Sequence, residues 1–188
     1  MPDRPIIVLT APSGAGKTTI ARRVLAALPQ LRFSVSATTR APRPTETDGE
    51  DYHFLTAEEF QARIDAGDLL EYEEVYPGRY YGTLRSEVDA QAEHHPVLLD
   101  IDVKGALNVK RLYGDAALVL FIAPPSLDEL QRRLEGRGTE APAALRDRLN
   151  RVEQELDKAD ACDAVVVNDD LDVAVEETLT RIRQFLNP

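Results

Sequence analysis

Short runs of consecutive apolar residues alternate along this chain with longer stretches in which apolar positions recur every three or four residues. The runs Pro5 to Thr10 (PIIVLT), Pro96 to Val103 (PVLLDIDV) and Ala116 to Ala123 (AALVLFIA) are short and lack a polar face, which predicts strands buried on both sides, as in a parallel sheet, and Ala164 to Val167 reads as a final short strand. Between them, Ile20, Val24, Leu25 and Leu28 carry helical spacing over Thr18 to Leu28, with Pro29 as the stop. Leu84 to His94 reads as a polar helix, and Ser126 with Glu129 caps a helix holding Leu127, Leu130 and Leu134 that Gly136 and Gly138 end. Leu145, Leu149, Val152 and Leu156 give one apolar stripe from Pro142 to Ala159. Leu171, Val175, Leu179, Ile182 and Leu186 make a closing amphipathic helix.

One region breaks this alternation. Phe33 to Val35 is compatible with a brief strand, but Ser36 to Asp51 shows no periodicity and holds Pro42, Pro44 and Gly49. Structureless stretches of that length in compact domains are usually functional or disordered. Asp51 to Leu55 then reads as a strand, Thr56 and Glu59 form a capping box for a helix ending near Gly67, and Leu69 to Tyr76 alternates apolar with acidic residues, as a half-exposed strand does. The expected fold class is therefore α/β, a parallel sheet flanked by helices, with a small mixed α+β insertion over residues 33–83.

A chain of 188 residues, 43% hydrophobic and 29% charged, has the size and composition of one globular domain. Its 22 basic and 33 acidic residues leave a formal net charge of −11, which argues against a general nucleic-acid or anionic-membrane surface. Of the basic residues 18 are Arg and 4 are Lys, a bias toward the side chain that grips phosphate with a planar fork, and one that genome base composition also produces. The single Cys162 forms no intrachain disulfide and is expected in the core, while the lack of a long apolar run or a signal-like start points to a cytoplasmic chain.

The strongest chemical signal lies between the first strand and first helix. Ala11-Pro-Ser-Gly-Ala-Gly-Lys-Thr18 matches the phosphate-loop pattern except that Ala11 stands at its first glycine. In such a loop, glycines let backbone amides curl round a phosphate, the helix N-terminus adds partial positive charge, Lys17 reaches the outer phosphates and Thr18 meets Mg²⁺. Ala11, Pro12, Ser13, Gly14, Ala15, Gly16, Lys17, Thr18 and Thr19 are accordingly the candidate ATP-binding residues.

A phosphate loop alone does not separate hydrolase, switch and kinase. Ser34-Val-Ser-Ala-Thr-Thr-Arg-Ala-Pro-Arg43, Asp48-Gly-Glu-Asp-Tyr-His-Phe54, Tyr80-Tyr-Gly-Thr83 and Leu99-Asp-Ile-Asp102 follow it in order, and with it the chain resembles the guanylate kinase family over nearly its whole length. The resemblance implies phosphoryl transfer from ATP·Mg²⁺ to GMP by a phosphate-loop core, a GMP-binding insertion and a helical lid at about residues 131–149, the core being 1–32, 84–130 and 150–188. It assigns the monophosphate to Arg40, Arg43, Tyr52 and Tyr81, and the base to Ser36, Glu71 and Thr83, with Asp100 or Asp102 near the nucleotide. Glu71 is the expected guanine discriminator: a carboxylate accepts the N1 and N2 hydrogens of guanine, whereas adenine presents an acceptor at N1 and no 2-amino group. Three positions depart from the family pattern: Ala37 for a polar residue, Lys104 for glutamine, and one additional residue at Tyr76-Pro77-Gly78.

In the lid, the resemblance assigns Arg133, Arg137 and Arg148 to closure over the triphosphate, where with Lys17 and Arg40 they would supply positive charge to the migrating group. Asn168 is expected either to contact adenine or, with Asp169 and Asp170, to form a turn and helix cap. The alternative to the kinase is a catalytically silent module of the same fold that binds proteins through the former nucleotide cleft. Whether the chain is a monomer or a homo-oligomer stays open.

Overall fold

The computed structural model describes residues 5–135 and 152–187. Five strands form a wholly parallel sheet in the order β2-β7-β1-β8-β9, where β1 is Ile6–Thr10, β2 Arg32–Phe33, β7 Val97–Asp100, β8 Ala117–Ala123 and β9 Ala164–Val167. Because β1 lies between β7 and β8, the chain leaves it in one direction first and returns to its other side later. That reversal opens a crevice at the C-terminal ends of the strands, where ligands bind in such sheets.

Strict alternation along β1 explains why a continuous apolar run was needed. Ile7 and Leu9 pack on α1 (Lys17–Ala27) and α7 (Leu171–Leu186) through Ile20, Val24, Val175 and Ile182, whereas Ile6 and Val8 pack on the opposite face with Val88 of α3 (Arg85–Ala92) and with Ala106 and Val109 of α4 (Val103–Tyr113). The result is a helix–sheet–helix sandwich whose central strands have no exposed side chain. Cys162 is half-buried and packs against the α3–α4 face, where burial pushes its thiol up to about 11.

A second sheet, in the order β4-β3-β6-β5, comprises β3 Ser36–Thr38, β4 His53–Phe54, β5 Leu69–Tyr76 and β6 Arg79–Leu84. Helix α2 (Ala57–Ala66) covers it with Phe60, and its capping box forms as expected, with Thr56 Oγ1 accepting from the Glu59 amide at 3.1 Å and Glu59 Oε2 accepting from the Thr56 amide at 2.8 Å. The remaining described helices are α5 (Leu127–Glu135), where Ser126 Oγ accepts from the Glu129 amide at 3.1 Å, and α6 over residues 152–156.

Four differences from the sequence expectation matter for the site. Ser36–Thr38, inside the stretch without periodicity, is a strand, because its ladder partners come from Tyr81–Thr83 and no local pattern reports them. Phe33 pairs with Leu98 and so belongs to the five-stranded sheet rather than to the insertion. The buried strand expected over Pro96 to Val103 ends at Asp100, and Asp102 instead opens α4, which the apolar run hid: its carboxylate accepts from the Lys104 and Gly105 amides. Finally, β5 turns its acid inward. A register shift between Leu69 and Glu71 leaves Glu71 buried and Tyr72 exposed, the reverse of a half-exposed strand with acids outside.

Candidate functional site

Gly14 and Gly16 both adopt left-handed φ, 94° and 93°, which lets the chain turn tightly from β1 into α1 while the Ala15 amide donates to the Pro12 carbonyl at 3.1 Å. Behind the loop, Asn168 leaves β9 and donates from Nδ2 to the Ala15 carbonyl at 2.7 Å, and a Cβ on Gly16 would stand 2.4 Å from that nitrogen. Asn168 is thus a strut beneath the phosphate loop, with its amide spent on backbone; the cap of α7 that the sequence left open falls to Asp170, which accepts from the Asp172 and Val173 amides.

Lys17 starts α1 and reaches across the sheet's end. Its Nζ lies 2.5 Å from Asp100 Oδ1 and donates to the Ile101 carbonyl at 2.8 Å, while Thr18 Oγ1 donates to Asp100 Oδ2 at 3.2 Å. Parallel pairing of β1 with β7 brings this about, since Leu9 and Asp100 are register partners. The Thr18 hydroxyl and Asp100 carboxylate are adjacent hard oxygen donors beside a phosphate loop, the donor type that Mg²⁺ accepts.

Two hollows meet here. One, of about 390 Å³, runs along Ala11–Gly14 and Gly16–Thr19 to Val152 and Glu155 of α6, and the other, of about 290 Å³, reaches Ser36, Glu71 and Asp100. Lys17, Thr18, Tyr52, Tyr81 and Asp102 line both. A third, of about 340 Å³, adjoins on the side of Arg43, Glu46 and Tyr52.

The second hollow owes its polar floor to register. Ser36 of β3 opposes Thr83 of β6, and Thr83 opposes Glu71 of β5, so three polar residues distant in sequence lie in one row. Thr83 Oγ1 donates to Glu71 Oε1 at 2.6 Å. Burial pushes the Glu71 carboxyl up to about 7; the Thr83 hydroxyl pulls the other way, Asp102 adds to the rise and Lys17 opposes it. A second register shift lies between Glu74 and Tyr76, beside the additional residue at Tyr76-Pro77-Gly78, and between the two shifts Glu71 stands opposite Thr83 and Glu73 opposite Tyr81.

Arg40 lies 5.3 Å from the centre of the Tyr52 ring, and Tyr52 meets Tyr81 edge to face at 5.9 Å. Both terminal nitrogens of Arg40 donate to Glu46, at 2.9 and 2.8 Å, and Glu46 also accepts from the Arg43 amide at 2.7 Å. Those bonds raise the Arg40 pKa, with the Glu46 bond the main cause, and hold Glu46 below the ordinary carboxylate range, through Arg40 first and the Arg43 amide second. Tyr52 is raised by burial above all. Glu46 is the site residue that sequence reasoning missed, although the spacing of Arg43 and Glu46 across Pro44 offered a signal: a loop acid three residues after an arginine.

Arg43 is exposed, its Nη1 3.8 Å from Glu46. Arg133 donates from Nε to Glu129 at 3.0 Å along its own helix, and Arg137 and Arg148 lie outside the described residues. Among the described residues, no cluster of three or more His, Cys, Asp or Glu has metal-holding geometry, and no described helix is long and apolar enough to cross a membrane.

Against known proteins, the family model described as guanylate kinase matches residues 3–185. A curated guanylate kinase of Salinibacter ruber is 80% identical over 187 residues, covering 100% of both chains. That of Chlorobaculum tepidum is 51% identical over 182 residues, 96% of this chain and 93% of the relative. Among solved structures, guanylate kinase from Anaplasma phagocytophilum superposes with a TM-score of 0.81 at 30% identity over 98% of this chain and 87% of that one. Shikimate kinase from Bacteroides thetaiotaomicron gives 0.56 at 20% identity over 98% and 99% of the two chains, a likeness of fold alone.

Proposed function

The chain belongs to the guanylate kinase family, and on that premise we propose that its two joined hollows are the donor and acceptor sites, meeting at Lys17. The protein transfers the terminal phosphoryl group of ATP to GMP, giving ADP and GDP. The observation that carries the arrangement is that Lys17, Thr18, Tyr52 and Tyr81 line both hollows, so a triphosphate on the loop and a monophosphate on the tyrosines approach each other there.

The residues divide the work as follows. Loop amides and the N-terminus of α1 cradle the donor phosphates, and Asn168 keeps that loop in shape. Lys17, held in reach by Asp100 and the Ile101 carbonyl, turns from carboxylate to phosphate and neutralises charge on the migrating group. Arg40, Arg43, Tyr52 and Tyr81 hold the GMP phosphate, and Ser36, Glu71 and Thr83 hold the guanine, Glu71 accepting from N1 and N2. Transfer is direct and in line, with positioning and positive charge as the protein's whole contribution. Thr18, with Asp100 beside it, would hold Mg²⁺, which when bound adds charge neutralisation at the phosphates. Arg133, Arg137 and Arg148 belong to the lid at about residues 131–149, which closes over ATP and excludes water; residues 33–83, with Phe33 excepted, form the GMP-binding insertion. The setting is cytoplasmic purine nucleotide metabolism, with GMP recycling as the role.

An intact Lys17 and Thr18 beside a complete acceptor row support transfer over silent protein binding. The test is ADP release with ATP·Mg²⁺ against GMP, AMP, CMP and UMP in parallel. Turnover confined to GMP is the expected result, and a folded protein that binds GMP without turning over any acceptor refutes it.

A further inference from the structure

The first turn of α4 lies directly against the end of Glu71. A Cβ added at Gly105 would stand 2.3 Å from Glu71 Oε2, 2.9 Å from its Cδ and 3.2 Å from its Cγ, and these three are the nearest atoms it would meet. The carboxylate therefore occupies the space that any other residue at 105 would fill. Backbone geometry gives no competing reason for the glycine: Gly105 is the third residue of a regular helix and has no left-handed φ. Inside a helix, glycine is destabilising relative to alanine, so its presence calls for another cause.

The surroundings hold both sides of this contact still. Glu71 Oε1 is engaged by the Thr83 hydroxyl at 2.6 Å. Helix α4 is pinned by the Asp102 cap on the Lys104 and Gly105 amides, and it is tied to β5 on either side of Glu71, by Asn108 Nδ2 donating to the Leu70 carbonyl at 3.3 Å and by the Lys104–Glu73 ion pair. With helix and strand fixed to each other, the depth of the carboxylate depends on what stands at 105.

We propose that Gly105 is a positioning residue for guanine selection: its missing side chain sets the depth and tilt at which the Glu71 carboxylate meets the acceptor base. The inference rests on the reading of Glu71 as the guanine reader. A methyl group at 105 displaces the carboxylate and breaks the fork that matches the N1 and N2 hydrogens, while the phosphate loop and its lysine stay as they are.

The test uses Gly105→Ala, Glu71→Ala and the double variant in the full chain, with kcat, KM for GMP, KM for ATP and thermal unfolding measured for each. Gly105→Ala is expected to raise KM for GMP about tenfold or more, the scale of a lost charge-assisted hydrogen bond, with KM for ATP within about twofold of the parent. The double variant is expected to be no worse than Glu71→Ala, because Gly105 acts only through that side chain. Parent-like KM for GMP in Gly105→Ala, a rise shared with ATP, or additive losses in the double variant would overturn the proposal. If Gly105→Ala does not fold, recovery of folding in the double variant supports the contact and continued failure overturns it. Unchanged KM for GMP in Glu71→Ala removes the guanine-reader reading itself, whereas an impaired Glu71→Ala beside an unimpaired Gly105→Ala removes only the role of Gly105.

Discussion

Replacing Glu71 with glutamine changes one buried atom and should move stability and activity in opposite directions. The carboxyl titrates near 7 in the folded protein against an ordinary value of 4.5, so between those two pH values the folded state binds more protons than the unfolded one. Stability contributed by this group is therefore full below about pH 4.5, declines as pH rises through the window, and is lost above about 7. The span corresponds to about 3 kcal/mol, and because Glu71 is only 5% exposed little of it is screened by solvent. Glutamine cannot ionise yet still accepts from Thr83. Glu71→Gln should thus match the parent near pH 4 and exceed it at pH 8 by about 3 kcal/mol, roughly 6–12 °C in Tm for a chain of this size.

The same change removes the second acceptor for guanine and should lower kcat/KM for GMP at pH 8 by about 10–100-fold. Since kcat/KM reports ionisations of the free enzyme and free substrate, the parent value should fall about tenfold per pH unit below 7 beyond the fall that the nucleotide phosphates impose. The variant carries the same phosphates and supplies that baseline. Paired melts at pH 4 and 8 and paired pH profiles for GMP make the measurement. A stability difference that is the same at both pH values, or parallel pH profiles, would refute the buried-carboxylate account.

Lys17→Ala should abolish transfer, with turnover down by three or more powers of ten, while GMP affinity measured by calorimetry stays close to the parent; equal loss of both would undo the division into donor and acceptor sites. Asn168→Ala leaves the Ala15 carbonyl without its 2.7 Å donor and should raise KM for ATP several-fold with KM for GMP unchanged. Its preference for ATP over GTP should stay as in the parent, since a strut acts on the loop and an adenine contact would act on the base. Leu120→Ala removes a fully buried side chain from the middle of β8 and should cost about 3 kcal/mol, seen as a Tm lower by roughly 6–12 °C with kcat retained at 25 °C.

What could be read from the sequence was whatever is decided locally. The central strands β1, β7 and β8 announce themselves because burial on both faces demands unbroken apolar runs, and the loop from Ala11 to Thr18 does so because phosphate binding demands glycine and lysine at fixed offsets. Elements decided by distant partners were not legible. Strand β3 exists through its ladder with β6, more than forty residues further on, and the inward turn of Glu71 follows from a register shift that alternation alone points the wrong way. Helix α4 was obscured by its own cap: Asp102 prolongs the pattern of β7 and begins the next element two residues after the strand has ended. The side-chain pairings within the site, Arg40 with Glu46 and Asn168 with the Ala15 carbonyl, depend on three-dimensional proximity that residue spacing does not encode.

Those pairings also explain how a chain of net charge −11 handles two polyanions. Three cations in or beside the cleft are each held by a protein acid: Lys17 by Asp100, Arg40 by Glu46, Lys104 by Glu73. Long-range attraction contributes little to binding, because charges beyond about 8–10 Å are screened at physiological ionic strength and the net field is repulsive. Affinity must come from exchange of one oxyanion for another at close range, in which the number of charge-assisted bonds is nearly conserved. The acids then do more than neutralise. They keep Lys17 extended at the meeting point of the two hollows and hold Arg40 over the ring of Tyr52, which lines both, so that little side-chain ordering is left to do when the phosphates arrive. Specificity for the reacting geometry follows from the same arrangement: a phosphate elsewhere in the cleft gains no new partner, and only one at the junction can draw Lys17 away from Asp100.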